Sequence, residues 1–94
     1  MSRVLFSTID GKENALHLAR QLTEERLAAC VSIIPNVKSV YKWKGVTEEA
    51  DEYLLIIKTA RDRVSAAIER IAQLHPYEVP EVVSLAVEEG FPPT

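Results

Sequence analysis

Seven consecutive residues, His75-Pro76-Tyr77-Glu78-Val79-Pro80-Glu81, set an imidazole, a phenol and two carboxylates around two prolines. Each proline fixes its own φ near about −65° and drives the residue before it, here His75 and Val79, toward extended geometry. The segment is therefore a stiff strap whose polar groups have few ways to move. Such a set could ligate a metal or hydrogen-bond a small polar ligand. His75 ends a helical stripe, where the helix dipole favours a cation and supports its protonated form. The plainer reading is a residue that simply ends the helix.

Four other positions could do chemistry. Cys30 is the only thiol. It is either a soft ligand suited to monovalent copper or a small buried hydrophobe beside Ala28, Ala29 and Val31. Lys58 interrupts an apolar strand. Its stem snorkels to an edge, or its ammonium pairs with Glu81 or a bound anion. Tyr41 and Trp43 alternate onto one face near a strand end, either as interface aromatics or as cross-strand packing. With Tyr77 and Glu81, these aromatics and Lys58 would make a mixed polar and aromatic ligand cleft. The acidic residues Glu48, Glu49, Asp51 and Glu52 lack the spacing of a calcium loop and read as a solvated hairpin connection. His17 reads as surface. The sequence contains no CxxC, HExxH, glycine-rich phosphate loop or GxSxG, which lowers the case for an enzyme.

The elements that must position these groups follow from periodicity and breakers. Ninety-four residues make one domain, 1–94. Arg3 to Ile9 reads as a buried strand, ended by Asp10-Gly11. Asp10 and Glu13 are spaced as a capping box for a helix running to about Arg26, with Ala15, Leu18, Ala19 and Leu22 as its apolar stripe. Leu27 to Trp43 is extended and punctuated by Pro35-Asn36. Gly45 to Glu49 reads as the hairpin connection and Glu52 to Thr59 as the returning strand. Thr59 and Asp62 suggest a second capping box. Val64, Ala67, Ile68, Ile71 and Leu74 form a clean amphipathic stripe that Pro76 must stop. Val82 to Val87 is a last strand, and Phe91 to Thr94 a loose tail. The order β-α-β-β-α-β predicts an α+β, ferredoxin-like split βαβ domain, an antiparallel sheet with both helices on one face.

Two helices cover only one face of such a sheet. A half-exposed antiparallel strand should alternate apolar and polar residues. Instead Tyr53 to Ile57 is apolar in both alternation classes, and so are Cys30 to Ile34 and Val82 to Val87. The second face would expose about 400 Å² or more of apolar surface, beyond the usual limit for a monomer. Another subunit is the simplest cover. Fourteen extended residues from Ala29 to Lys42 would also span about 46 Å, against a diameter of roughly 30 Å for a compact chain of this length. Either Pro35-Asn36 bends the strand or its tip projects onto a neighbour.

The formal net charge of −3 argues against a nucleic-acid partner. No apolar run reaches the roughly 20 residues of a membrane helix. The apolar N-terminal residues are too few for a signal-peptide core. A single cysteine points to a reducing cytoplasm.

Leu27-Ala28-Ala29-Cys30-Val31, Pro35, Ser39 through Gly45, Ile57-Lys58-Thr59 and His75 through Glu81 closely resemble the CutA family of divalent-cation-tolerance proteins. The resemblance covers nearly the whole chain. It implies a ferredoxin-like protomer in a tight homotrimer, sheets inward and helices outward, an architecture similar to the PII signalling proteins. It also implies a cytoplasmic, non-catalytic protein of divalent cation tolerance, with copper the foremost metal and no obligatory cofactor. Cys30 matches the cysteine implicated in copper binding in the family, and His75 matches its histidine before Pro-Tyr. Ser7 stands where some members carry a second cysteine. Relatives commonly continue into a short C-terminal helix where this sequence ends at Thr94. The alternative is a PII-like trimer that senses small molecules in clefts between subunits. An acylphosphatase-like or RNA-binding role on this fold would need an arginine loop or a basic-aromatic strand, and neither is present.

Overall fold

Alternation along the first strand, β1 (Ser2–Ile9), sorts the two faces of the sheet. Leu5, Ser7 and Ile9 are buried, while Val4, Phe6 and Thr8 between them are only half-buried. A computed structural model describes residues 2–91. After β1 come α1 (Lys12–Glu24), β2 (Cys30–Trp43), β3 (Val46–Ala60), a 3-10 turn at Arg61–Arg63, α2 (Val64–Leu74) and β4 (Val83–Ala86). The four strands form one sheet in the order β2-β3-β1-β4, with every neighbouring pair antiparallel. This is the expected ferredoxin-like α+β domain. Leu5, Ile9, Leu55 and Ile57 from the sheet meet Leu18 and Leu22 of α1 and Ala67 and Ile71 of α2 in one core.

The other face has no helix. Val4, Phe6, Ile34, Leu54, Ile56, Val83 and Leu85 share it by register and alternation. Leu85 is 54% exposed and Val83 46%. The two-sided apolar strands therefore do leave one greasy face open.

Several local features differ from expectation. Asp10 does not cap α1. Gly11 is the N-cap with φ 79°, and no side chain caps the helix. The turn needs left-handed backbone that glycine supplies without a Cβ penalty, and this moves the cap beyond the reach of Asp10. The Asp10 carbonyl instead accepts from Asn14 Nδ2 at 3.0 Å. At its other end α1 stops at Glu24. Arg26 takes φ 59°, and Leu27 N–H donates to the Leu22 carbonyl at 2.9 Å, the pattern of a Schellman cap. Thr59 does not cap α2 either. Its hydroxyl donates to the Leu27 carbonyl at 2.6 Å, tying β3 to the loop before β2.

The hairpin is tighter than the polar run suggested. Trp43 pairs with Val46, leaving a two-residue turn of Lys44 (φ 51°) and Gly45 (φ 80°), the type I′ geometry that matches strand twist. Thr47, Glu48 and Glu49 are strand residues paired with Lys42, Tyr41 and Val40. Between Ile34 and Val37 the register shifts, with Asn36 at φ 63°. This bulge at Pro35-Asn36 leaves the hairpin long enough to project, and the molecule measures 43 × 25 × 22 Å. β4 is shorter than expected, Val83–Ala86 rather than Val82 to Val87. Of the expected tail, Phe91 is exposed, and Pro92 to Thr94 lie outside the described residues.

Candidate functional site

The end of α2 is set by proline. His75 takes φ −71°, ψ 134°, the extended geometry imposed on a residue before proline. This turns the imidazole back onto β1. His75 is 6% exposed. Its Nε2 lies 2.8 Å from the Thr8 carbonyl, and its Nδ1 lies 3.2 Å from the Tyr77 amide nitrogen. A carbonyl only accepts and an amide only donates, so the ring hydrogen sits on Nε2 and Nδ1 supplies a lone pair. Both ring nitrogens are thus engaged within the chain. The Tyr77 ring stands edge-on to it, centroids 4.4 Å apart at 64°.

Tyr77 in turn donates its phenol hydrogen to the Glu52 carboxylate. Burial is the largest influence raising the Tyr77 pKa, followed by the hydrogen bond to Glu52 and by the negative charges of Glu52 and Asp10. The phenol is thus held protonated, as a donor. Glu52 is 7% exposed. At the far end of the strap, the buried Ser7 hydroxyl donates to the Glu81 carbonyl at 2.8 Å. The strap is therefore fastened to β1 twice, by His75 and by Ser7, and to β3 once, by Tyr77.

Between the strap and the hairpin arm lies an open cleft of about 860 Å³. Thr8 and Asp10 come from β1 and the turn after it, Ser39, Tyr41 and Trp43 from β2, Glu52 from β3, and Tyr77, Glu78 and Glu81 from the strap. Four of the five residues expected in a ligand cleft, Tyr41, Trp43, Tyr77 and Glu81, thus line one cavity. Lys58 does not. It pairs with Cys30 on one side and Val4 on the other, exposed on the open sheet face, and makes no ion pair among the described residues. Glu52 was missed as a site residue because it sat in a polar run read as hairpin. Its parity with Leu54 and Ile56 was the available signal.

Cys30 is exposed at the start of β2, against the reading as a buried hydrophobe. It is not brought to His75. The Cys30 row crosses β1 at Val4, whereas His75 binds at Thr8, four residues or about 13 Å further along. Ser7 and Cys30 also lie on opposite faces, since Ser7 pairs with Leu55 of the helix-covered face. Among the described residues, no three His, Cys, Asp or Glu side chains converge to hold a metal ion. No described helix is long and apolar enough to cross a membrane.

Comparison with known proteins agrees with this architecture. The family model described as CutA1 divalent ion tolerance protein matches residues 3–93. The divalent-cation tolerance protein CutA of Thermus thermophilus is 44% identical over 90 residues, covering 96% of this chain and 87% of the relative. Its solved structure superposes with a TM-score of 0.92. CutA from Xylella fastidiosa gives a TM-score of 0.95 at 42% identity, covering 97% of this chain and 88% of that one. The CutA homolog of Xenopus laevis is 53% identical over 79 residues, 84% of this chain. The chain spans about half the length of this and other animal relatives. Some relatives are named for compartments, among them a chloroplastic CutA of Arabidopsis thaliana and a periplasmic one of Archaeoglobus fulgidus. With the family model spanning nearly every residue and the fold shared with solved relatives, the chain belongs to the CutA1 divalent ion tolerance family.

Proposed function

We propose that this protein serves divalent-cation tolerance as a cytoplasmic, non-catalytic homotrimer that binds metal, copper foremost. The single observation that carries the assembly is the helix-free sheet face, with Val4, Phe6, Ile34, Leu54, Ile56, Val83 and Leu85 on one side of four strands. An apolar face of that extent is an association surface, and the copy number of three follows from the family resemblance. Exposed Cys30 lies on that same face, so assembly supports a reading in which thiols from several copies act together. A single thiolate is a poor anchor for a soft metal. His75 would join only where a metal displaces the Thr8 carbonyl from Nε2. Sedimentation at micromolar concentration, together with reduced-copper and zinc titrations of wild type, Cys30→Ser and His75→Ala, tests this. A trimer that loses copper affinity with Cys30→Ser is expected. A stable monomer would overturn the assembly, and micromolar copper binding indifferent to both substitutions would remove both residues from the site.

The cleft favours a second reading, the PII-like trimer that senses a small molecule. A cavity of about 860 Å³ falls within the usual range for small-molecule sites, about 300–1,000 Å³. It combines aromatic walls with a few fixed polar groups. Thermal-shift screening separates the readings: stabilisation by an organic molecule and by no metal favours the sensor.

A further inference from the structure

We infer that His75 is a latch that holds the proline strap on β1, and that its imidazole takes no metal. The metal reading, on which the choice of test ions rests, narrows to Cys30. The first ground is what each ring nitrogen does. An imidazole binds a metal through the lone pair of one nitrogen, while the other donates to a carbonyl or carboxylate that orients the ring. His75 has only the orienting half of that arrangement. Its Nε2 donates to the Thr8 carbonyl at 2.8 Å. The lone pair a metal would need is on Nδ1, and the Tyr77 amide already donates to it at 3.2 Å.

The surroundings do not fit a metal either. The ring is buried, and the Tyr77 ring stands edge-on to it. The buried Glu52 carboxylate accepts from the Tyr77 phenol, so it too is engaged by the strap. Among the described residues, His75 belongs to no group of three His, Cys, Asp or Glu side chains that could hold an ion.

The same contacts suit a fastening. Pro76 stiffens the chain but has no N–H to anchor it, so Tyr77 carries the first amide available after the helix. His75 bonds in two directions at this point, back to β1 through Nε2 and forward to that amide through Nδ1. One ring thereby fixes β1, the end of α2 and the strap relative to one another, and it sets Tyr77 where its phenol meets Glu52. Ser7 holds the far end of the strap through the Glu81 carbonyl.

Conservative substitutions separate a latch from a ligand. His75→Gln keeps an amide N–H that can reach the Thr8 carbonyl but has no imidazole lone pair. His75→Asn keeps an oxygen that can accept from the Tyr77 amide two residues on, as in an Asx-turn. His75→Ala keeps neither. Hydrogen exchange at the Tyr77, Glu78, Val79 and Glu81 amides reads the strap, and calorimetric titration with zinc and with reduced copper reads the metal, both on the assembled protein. His75→Ala is expected to speed exchange about tenfold through lost hydrogen bonds, and Gln or Asn should recover part of that protection. Zinc and copper affinities are expected to be unchanged in all three variants, and Gln and Asn carry this comparison should the alanine variant not fold. Metal binding weakened about tenfold or more in Gln and Asn alike would make the imidazole a ligand and overturn the inference. Exchange as slow in His75→Ala as in wild type, or no recovery by either Gln or Asn, would overturn the latch. Absence of zinc and copper binding in wild type would overturn the metal reading while supporting a ring that takes no metal, since the exchange signature is read without any ion.

Discussion

The Tyr77 phenol and the Glu52 carboxylate, 25 residues apart in sequence, form the one hydrogen bond by which the proline strap grips β3. Two further hydrogen bonds tie the strap to β1, through Thr8 and Ser7. The pair thus decides how the strap stands against the hairpin arm, and so the shape of the cleft. Tyr77→Phe removes the donor and leaves a largely buried carboxylate without its partner. Stability is expected to fall by about 1–3 kcal/mol, measured by denaturant midpoint. The double variant Tyr77→Phe/Glu52→Gln should recover part of the loss.

The same contact has a pH signature. The Tyr77 pKa is raised in the folded state, by burial first and by Glu52 next. The stability it contributes is therefore full below the ordinary phenol pKa of about 10 and is lost as pH rises above it, because the unfolded chain releases this proton first. Alkaline unfolding should begin at lower pH in wild type than a Tyr77→Phe variant referenced to its own neutral stability. In absorbance titration, one tyrosine should ionise later than the others.

Ser7 offers a test of face. Its side chain points into the helix-covered layer and binds the Glu81 carbonyl, away from the face that carries Cys30. Ser7→Ala should cost about 1 kcal/mol and speed amide exchange in the strap. Ser7→Cys should leave copper affinity unchanged, since the new thiol cannot share a metal with Cys30 of its own chain. A gain in copper affinity would contradict the opposed faces.

The open face predicts a clean separation of folding from assembly. Leu85 is more than half exposed in one copy, so Leu85→Glu removes little from the protomer's own core. Sedimentation should show smaller species while circular dichroism retains the native pattern. An unchanged assembly would place the contact elsewhere.

Arg26 sits in the left-handed region at φ 59°, one residue past the Glu25 C-cap of α1. A side chain there is strained, and glycine is not. Arg26→Gly is expected to raise stability by up to about 1 kcal/mol, read as a higher thermal midpoint.

The fold and most of the cleft were legible in sequence because they follow from local rules. Pro76 and Pro80 fix the strap, the apolar stripes of α1 and α2 fix the helices, and the doubled apolar classes of β3 announce an open face. The two cap misreadings have separate causes: Thr59 stays within β3 and spends its hydroxyl on the Leu27 carbonyl. A capping-box spacing says nothing about whether the turn needs a positive φ, and Gly11 moved the α1 cap past Asp10. Likewise the acidic run hid strand pairing, because Lys44-Gly45 alone closes the hairpin. Glu49 and Glu48 look like a loop by composition but are held by the register with Val40 and Tyr41.

By itself the sequence determined element order, the rigid strap, the family and the unsheltered sheet face, all of which depend on φ restriction and on period. The tertiary structure alone decided which side chains meet. It turned His75 onto Thr8, brought Tyr77 to Glu52, and put Lys58 beside Cys30 rather than in the cleft. Those outcomes depend on strand register, where one residue more or less exchanges the two faces of a strand.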